Sequence, residues 1–159
     1  MDSSPEINRA STVTLREITA ATLSDILRLK VDEAQNRFVA TNAVSIAQAH
    51  FSDQAWFRAI YADDTPVGFL MLADDPAKPE YALWRFMIDA RYQKLGFGRR
   101  AIALLIDHVR TRPGAAKLLV SCVEGEGSPI PFYESLGFRL TGDHDDGEAI
   151  MVLDLEAGS

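Results

Sequence analysis

The alternation of apolar and polar residues along the chain predicts a series of short strands. The runs "TVTLREI", "AWFRAIYA" and "PVGFLMLA" are rich in branched and aromatic residues, and Asp63 and Asp64 indicate a hairpin turn between the second and third runs. The run "YALWRFMI", from Tyr81 to Ile88, has almost no polar position, so we expect a central strand that is covered on both faces. "AKLLVSCV" is the next expected strand, and "FRLTG" and "AIMVLDL" are expected to form a hairpin around the turn "DHDDGE".

Helical spacing and capping residues predict four helices between these strands. Thr22 with Asp25 predicts the start of a short helix, and a second helix is expected from Val44 to about Ser52. The strongest apolar stripe comprises Ile102, Leu105, Ile106 and Val109, which recur at i, i+3, i+4 and i+7 before Pro113 ends the helix. The last short helix carries "IPFYESL" and is framed by Ser128 as N-cap, Pro129 in the first turn and Gly137 at the C-terminus.

The resulting order of elements is β-α-α-β-β-β-α-β-α-β-β. It predicts an α/β (α+β) fold in which a mixed sheet is antiparallel near its start and contains one β-α-β crossover. The 159 residues, 47% of them hydrophobic, suit one compact domain. We expect that domain to cover residues 13–155, between a flexible tail at 1–12 and a short tail at 156–159.

Composition and charge narrow the classes of function. With 23 acidic against 16 basic residues, the net charge of −7 disfavours nucleic acid as a partner and favours a cationic substrate. No run approaches the roughly 18 apolar residues of a membrane span, and the first residues lack a signal-peptide pattern, so we expect a cytoplasmic protein with no membrane partner. Cys122 is the only cysteine and reads as a buried strand thiol. The three histidines are too scattered to predict a metal site.

Two glycines at the head of the third predicted helix carry the clearest functional signal. Gly96 and Gly98 remove side chains where the unpaired N–H groups of a helix N-terminus would be exposed, which is a geometry that binds phosphate. The basic residues Arg91, Lys94, Arg99 and Arg100 surround the same turn in an otherwise acidic chain. An isolated G-x-G pattern, however, is also typical of a plain loop with a solvated basic face.

A dinucleotide-binding turn is a second interpretation. Gly96, Gly98 and Ala101 satisfy G-x-G-x-x-A, and Glu124 lies near the end of the next strand, where a ribose-binding acid is expected. Two observations count against this interpretation. A dinucleotide-binding turn follows its strand directly, whereas here seven residues intervene, and too little chain follows for the rest of a dinucleotide-binding fold. A phosphate-binding P-loop is excluded because the chain has no G-x-x-x-x-G-K-[ST] pattern.

A third interpretation accounts for the intervening residues. Gln93-x-x-Gly96-x-Gly98 resembles the acetyl-CoA pyrophosphate loop of the GNAT superfamily of N-acetyltransferases, and "PFYESLGFRLTG" is similar to the late segment of that family. The resemblance extends over roughly residues 13–155 and implies the GNAT fold, with helices on both faces of a mixed sheet. Within the family, "LWRFMID" with "FVATN" and "SIAQA" most resembles bacterial enzymes that acetylate spermidine and related diamines.

The resemblance implies acetyl-CoA as co-substrate and a set of residues that hold it. The strand before the glycine loop would splay from its parallel neighbour, and its main chain would pair with the pantetheine arm and acetyl group. A backbone N–H near Ile88 would polarise the thioester carbonyl. The implied cofactor-binding residues are Phe86, Met87, Ile88, Gln93, Lys94, Leu95, Gly96, Phe97, Gly98 and Arg99. Arg85, in the same run, is expected to be an ion-paired structural arginine.

The resemblance also implies catalytic and substrate-binding residues. Tyr133 matches the position of the family's general acid, although a helix tyrosine between apolar neighbours is also typical of core packing. The candidate bases are Glu33, Glu124 and Glu126, whereas Asp89 would lie too close to the pyrophosphate. Substrate binding is expected from the two early helices, at Asp32, Glu33, Asn36 and Asn42, and from Glu124. The acidic run "DHDDGE" is expected to be a solvent-exposed turn.

The sequence therefore predicts an N-acetyltransferase that uses acetyl-CoA and acts on a primary amine. A polyamine or diamine such as spermidine is the expected acceptor, by direct attack in a ternary complex, with no metal. The alternatives are another amine, such as a peptide N-terminus, a lysine or an antibiotic, and a non-catalytic acyl-CoA-binding module. A homodimer is a further possibility because dimers are common in the resembled family.

Overall fold

A computed structural model describes residues 7–30 and 42–155. Within these ranges the chain forms a seven-stranded mixed sheet with helices on both faces. The strands are β1 Val13–Arg16, β2 Ala55–Ala62, β3 Thr65–Asp75, β4 Glu80–Ile88, β5 Lys117–Cys122, β6 Arg139–Asp145 and β7 Glu148–Asp154. The helices are α1 Leu23–Leu27, α2 Asn42–His50, α3 Phe97–Arg110 and α4 Ile130–Ser135, with a short 3-10 turn at Ala90–Tyr92.

The strands lie in the order β1-β2-β3-β4-β5-β7-β6. All neighbours are antiparallel except β4 and β5, which are parallel because α3 connects them as a crossover. The predicted mixed fold, antiparallel at its start with one β-α-β unit, is confirmed.

Each face of the sheet carries its own apolar layer. On the α3 face, Ile102, Leu105 and Val109 are fully buried and Ile106 is partly buried, as the helical stripe predicts. On the opposite face, Ile26 of α1 packs in a second cluster with strand residues that include Met71 and Met87. The sheet is therefore a middle layer, and an opening through it would connect its two faces.

The predicted central position of β4 is confirmed, but the strand is covered on both faces over only part of its length. Tyr81 and Leu83 are buried, but Trp84 is 42% exposed and Arg85 and Phe86 are half-buried. The strand is apolar because both of its ends are buried. Its middle is more exposed because β4 separates from β5 after Leu83.

The last hairpin differs from the sequence prediction at its turn. Its strands extend inward over most of the "DHDDGE" run and leave a two-residue turn at Asp146 and Gly147, both with positive φ. This is the geometry that favours Asp-Gly in tight hairpins, because left-handed backbone matches the twist of the strands. Asp145 and Glu148 are consequently strand residues that face each other.

Two predicted helix caps are also corrected. Thr22 precedes α1, but its hydroxyl accepts a hydrogen bond from the Thr19 N–H at 2.9 Å instead of capping the helix. Pro129 occupies the N-cap position of α4, and the Ser128 hydroxyl accepts from the Ile130 N–H at 3.2 Å. The Thr22 hydroxyl thus closes a turn with a residue that precedes the helix, whereas Ser128 binds the first N–H of α4 from one position before the assigned N-cap.

The first described residues are packed on the domain, although the sequence placed them in a flexible tail. The Asn8 N–H donates to the Ser11 hydroxyl at 2.9 Å, and Ser11 is buried. Arg100 of α3 donates to the backbone carbonyls of Arg9 and Ser11. These contacts attach residues 7–12 to the side of α3.

No helix in the described ranges is both long enough and apolar enough to span a bilayer.

Candidate active site

A cleft opens where the two parallel strands separate. β4 and β5 pair only at Ala82 with Leu119 and at Leu83 with Val120. The pairing of β4 with β3 shifts by one residue at the next position and leaves Trp84 without a partner. Such a bulge bends a strand and ends regular pairing. The strands beyond it diverge around a cleft of about 800 Å³.

Unpaired main-chain groups of β4 face this cleft. The Asp89 N–H donates to the Val67 carbonyl at 2.7 Å, so the neighbouring pair of Gly68 and Ile88 is of the non-hydrogen-bonded type. By the alternation of an antiparallel ladder, Phe86 and Ile88 direct their main chain away from β3, and Met87 directs its own toward β3. The Ile88 carbonyl accepts from the Gln93 side chain at 2.9 Å.

The cleft passes through the sheet and has two sides. On the α3 side, Phe86 stacks on Phe132 of α4, with ring centroids 5.9 Å apart. On the α2 side, Arg85 donates to the side-chain oxygen of Gln48 at 3.1 Å. Both faces contribute to the lining, so a molecule in the cleft is reachable from either face. We refer to these openings as the α3 side and the α2 side.

The N-terminus of α3 points into the cleft from the α3 side. Gly96 is the N-cap with φ of 84°, a conformation that strongly favours glycine. The N–H groups of Phe97, Gly98 and Arg99 fall in the first turn, where a helix has no internal acceptors. These groups and the helix dipole favour a bound anion.

Gly98 lies close to the aromatic rings of the cleft. A Cβ at this position would lie 3.2 Å from the Phe86 ring and 3.5 Å from the Phe132 ring. The absence of a side chain therefore allows the helix to approach the stacked rings that floor the cleft.

The four basic residues around the loop divide into two groups. Arg91 pairs with Asp89 at 2.8 Å, and Arg100 binds the carbonyls of the N-terminal segment, so both are structural. Lys94 and Arg99 line the cleft, and Arg99 also donates to the Ser135 hydroxyl at 2.9 Å. The local positive charge available to a phosphate is smaller than the sequence suggests.

Asp89 has a structural role at the end of β4. Its carboxylate accepts from the Arg91 N–H at 2.9 Å, from the Arg91 side chain and from the Lys30 N–H at 3.1 Å. Burial alone would raise the pKa of Asp89, but these hydrogen bonds hold the pKa below its ordinary value. The residue fixes the turn that carries the chain from β4 into the glycine loop.

Tyr133 lines the cleft from α4. Its side chain is 5% exposed and makes edge contacts with the rings of Phe132 and Phe138. No described residue forms a hydrogen bond with its hydroxyl that would hold it in the core. Burial raises the pKa of Tyr133, and the nearby Cys122 adds to the increase, so the hydroxyl stays protonated at neutral pH. The ring packs in the core as the structural interpretation predicts, while the residue still borders the cleft.

Cys122 is buried in β5, as predicted. Burial, with a smaller contribution from Glu148, raises the pKa of its thiol to about 12. A thiol in this state is a poor nucleophile, because only the thiolate reacts readily.

The predicted substrate-binding residues separate in the structure. Glu33, Asp32 and Asn36 lie outside the described residues. Asn42 is buried, and its amide donates to the Ile26 carbonyl at 2.8 Å, which joins α1 to α2 and favours a structural role. Glu124 is exposed and lies 2.9 Å from a ring nitrogen of His144.

Several cleft residues were missed by the sequence interpretation. Asp145 and Glu148 line the cleft, and their run is solvent-exposed as expected except at Glu148, which is partly buried. Recognition of Asp146-Gly147 as a two-residue turn would have paired these carboxylates. Arg85 also lines the cleft, and its partners among the described residues are neutral, namely Gln48 and the Trp84 carbonyl. The same part of the chain contains no cluster of three side chains suited to hold a metal.

A splayed parallel strand pair with a bulge, followed by a glycine loop and a helix N-terminus, suits the thioester arm and the phosphates of an acyl-CoA. Residues 23–138 match the acetyltransferase (GNAT) family, and the chain belongs to that family. It is 27% identical over 150 residues to the spermine/spermidine N(1)-acetyltransferase of Bacillus subtilis, covering 90% of this chain and 99% of that protein.

Solved structures share the fold. The ribosomal-protein-S18-alanine N-acetyltransferase of Escherichia coli superposes with a TM-score of 0.65 at 19% identity, over 93% of this chain and 97% of the other. The PaiA N-acetyltransferase of Thermoplasma acidophilum, solved with coenzyme A, gives a TM-score of 0.66 at 15% identity, over 90% and 99%. This protein is accordingly an acetyl-CoA-dependent N-acetyltransferase, and the prediction of family, fold and co-substrate is confirmed.

Proposed function

We propose that this enzyme acetylates a primary amine of a polyamine or diamine, such as spermidine. The observation that carries the proposal is the pair of carboxylates, Asp145 and Glu148, in the lining of the cleft that also contains Tyr133. The acidic net charge of −7 favours a cationic acceptor, and a relative over almost the full chain is named for spermine and spermidine.

The described residues fit a bound acetyl-CoA. In this proposal, the N–H groups of the first turn of α3 and the side chain of Lys94 bind its pyrophosphate. The outward main chain of Phe86 and the Ile88 N–H are available to an extended pantetheine arm, as an added strand would use them, while the Ile88 carbonyl is bonded to Gln93. When bound, acetyl-CoA supplies the acetyl group as a reactive thioester.

Two groups of the chain assist the transfer in this proposal. The Ile88 N–H stabilises negative charge on the carbonyl oxygen while the amine nitrogen bonds to the carbonyl carbon. Tyr133 donates its proton to the sulfur as the carbon–sulfur bond breaks. The amine nitrogen loses one proton as it becomes an amide, so the loss of a proton from nitrogen matches the gain of a proton by sulfur. Glu33, Glu124 and Glu126 stay the candidate bases, acting directly or through water.

The test is a thiol-release assay with a panel of acceptors at saturating acetyl-CoA. Spermidine, spermine and 1,4-diaminobutane are compared with a lysine peptide, a peptide N-terminus and an aminoglycoside. We expect kcat/KM to be highest for the polyamines. Turnover of a peptide or aminoglycoside with none of any polyamine would refute the proposal. Binding of coenzyme A without turnover of any amine would support the acyl-CoA-binding module instead.

A further inference from the structure

Arg85 binds the carbonyl of the residue that forms the bulge in β4. The strand pairs with β3 at Leu83 and then, on the next residue of β3, at Arg85, so Trp84 between them is an extra residue. Trp84 has no partner on β5 either, because the parallel pairing ends at Leu83. One terminal nitrogen of the Arg85 guanidinium donates to the Trp84 carbonyl at 2.8 Å. The bulge therefore has a side-chain partner at the point where the two parallel strands separate.

The same guanidinium connects the bulge to α2. Its other terminal nitrogen donates to the side-chain oxygen of Gln48 at 3.1 Å. A guanidinium is planar and holds its donors in a fixed fork, so two bonds made by one group also fix the orientation of that group. Arg85 thus links the extra residue of β4 to a helix that packs on the sheet.

These contacts differ from those of an arginine kept for an ion pair. Among the described residues, no carboxylate forms an ion pair with Arg85. Its Nε atom is fully buried and has no hydrogen-bond partner in the same part of the chain. A buried N–H without a partner costs free energy. Because Arg85 also lines the cleft, its two bonds indicate a role at the site that offsets this cost.

The position of the bulge decides which main-chain groups of β4 reach the cleft. Main-chain groups of a strand alternate in direction, so a shift of one residue exchanges the groups that face the neighbouring strand with those that face away. In the observed register, Phe86 and Ile88 direct their main chain away from β3. Displacement of the bulge would move the Ile88 N–H from the position proposed for the thioester carbonyl.

We propose that Arg85 is a positioning residue for acetyl transfer. By binding the Trp84 carbonyl and Gln48 together, it holds the β4 bulge in the form that presents the Ile88 N–H to the thioester. Arg85 itself takes no part in the chemical step. The role rests on the proposed use of the β4 main chain by acetyl-CoA, and it is independent of which amine is the acceptor.

The test compares Arg85→Met, which removes the guanidinium but keeps an unbranched side chain, with Arg85→Lys, which keeps the charge and a donor. Thiol release is measured with the best acceptor of the panel, at saturating acceptor and varied acetyl-CoA. Because a displacement of about 1 Å can cost about 100-fold, we expect Arg85→Met to lower kcat by about 10- to 100-fold. Arg85→Lys should recover part of this loss.

Two further measurements do not depend on turnover. Coenzyme A affinity, measured by calorimetry, should fall by about 2- to 10-fold in Arg85→Met, since main-chain bonds to the pantetheine arm are weakened. Hydrogen exchange of the free protein should be faster at the β4 amides from Trp84 to Ile88. Unchanged affinity together with unchanged exchange would refute the role, even if no amine of the panel reacts.

Arg58→Met is the matched control. Arg58 in β2 donates to the carbonyl of the preceding residue, Phe57, at 2.7 Å, as Arg85 does to Trp84, but it lies outside the cleft lining. Its replacement should lower the melting temperature and leave kcat within about threefold. Equal falls of kcat in Arg58→Met and Arg85→Met would show general destabilisation and overturn the inference.

Gln48→Met tests whether Arg85 acts through α2. If it does, Arg85→Met/Gln48→Met should have the same kcat as Arg85→Met alone, because residues that share one interaction are not additive. Additive losses would contradict the link to Gln48. A change confined to the KM of the acceptor would make Arg85 an acceptor contact and refute the positioning role. Turnover of a peptide or aminoglycoside with none of any polyamine would refute only the proposed acceptor, and the same variants then test Arg85 with that amine.

Discussion

Replacement of Tyr133 by phenylalanine should reduce catalysis without reducing stability. No described residue forms a hydrogen bond with the hydroxyl, so its removal eliminates no internal contact among them. Loss of a general acid lowers kcat by about 100- to 10,000-fold. We expect the melting temperature of Tyr133→Phe to equal or exceed that of the unaltered enzyme, with coenzyme A affinity retained.

Tyr81 provides a matched control. It is similarly buried, but its hydroxyl donates to the Pro113 carbonyl at 2.6 Å and it does not line the cleft. Tyr81→Phe removes that bond and should cost about 1 to 2 kcal/mol of stability. In a domain of this size, the loss corresponds to a fall of about 2 to 8 °C in melting temperature. Its kcat should remain close to that of the unaltered enzyme.

The assays are scanning calorimetry, coenzyme A titration and thiol release with the best acceptor of the panel. The opposite pattern would refute the reasoning. If Tyr133→Phe melts lower by as much as Tyr81→Phe and keeps its kcat within about threefold, the hydroxyl is structural and another group protonates the leaving thiolate.

Three further predictions concern the loop, its anchor and the buried thiol. Gly96→Ala should cost about 1 to 2 kcal/mol through its positive φ and weaken coenzyme A binding in calorimetry. Gly142→Ala is the control, because Gly142 has a similar φ and no neighbour near the added Cβ. It should cost as much stability and leave coenzyme A binding unchanged. Equal coenzyme A affinities in the two variants would contradict the phosphate-binding role of the loop. Because the pKa of Asp89 is held below its ordinary value of 3.8, its stabilisation should be complete above that pH and be lost as pH falls through the lower, folded value. Asp89→Asn should therefore be less stable at pH 7 and lose less stability on acidification in urea titrations, and parallel profiles would refute this. Cys122, with a pKa of about 12, should resist alkylation at pH 8 until the protein unfolds, whereas rapid labelling of the folded protein would contradict its burial.

The sequence by itself determined the features that depend on local chain chemistry. The buried apolar face of α3 could be predicted because helical spacing places Ile102, Leu105 and Val109 on one side of the helix. The burial of Cys122 follows from its position in an apolar strand. The glycine loop, and with it the acetyl-CoA co-substrate, could be identified from the sequence because the residues of the motif are contiguous.

Tertiary structure alone decided which side chains share the cleft. The separation of β4 from β5 depends on a one-residue shift at Trp84, and a shift in register leaves no trace in composition. Asn42 and Arg100 looked available for ligands, but partners distant in sequence occupy them. The Asp-Gly turn pairs Asp145 with Glu148 locally, but only the position of the hairpin beside β5 brings both residues to the cleft. Contacts between strands are set by long-range pairing, which local pattern does not encode.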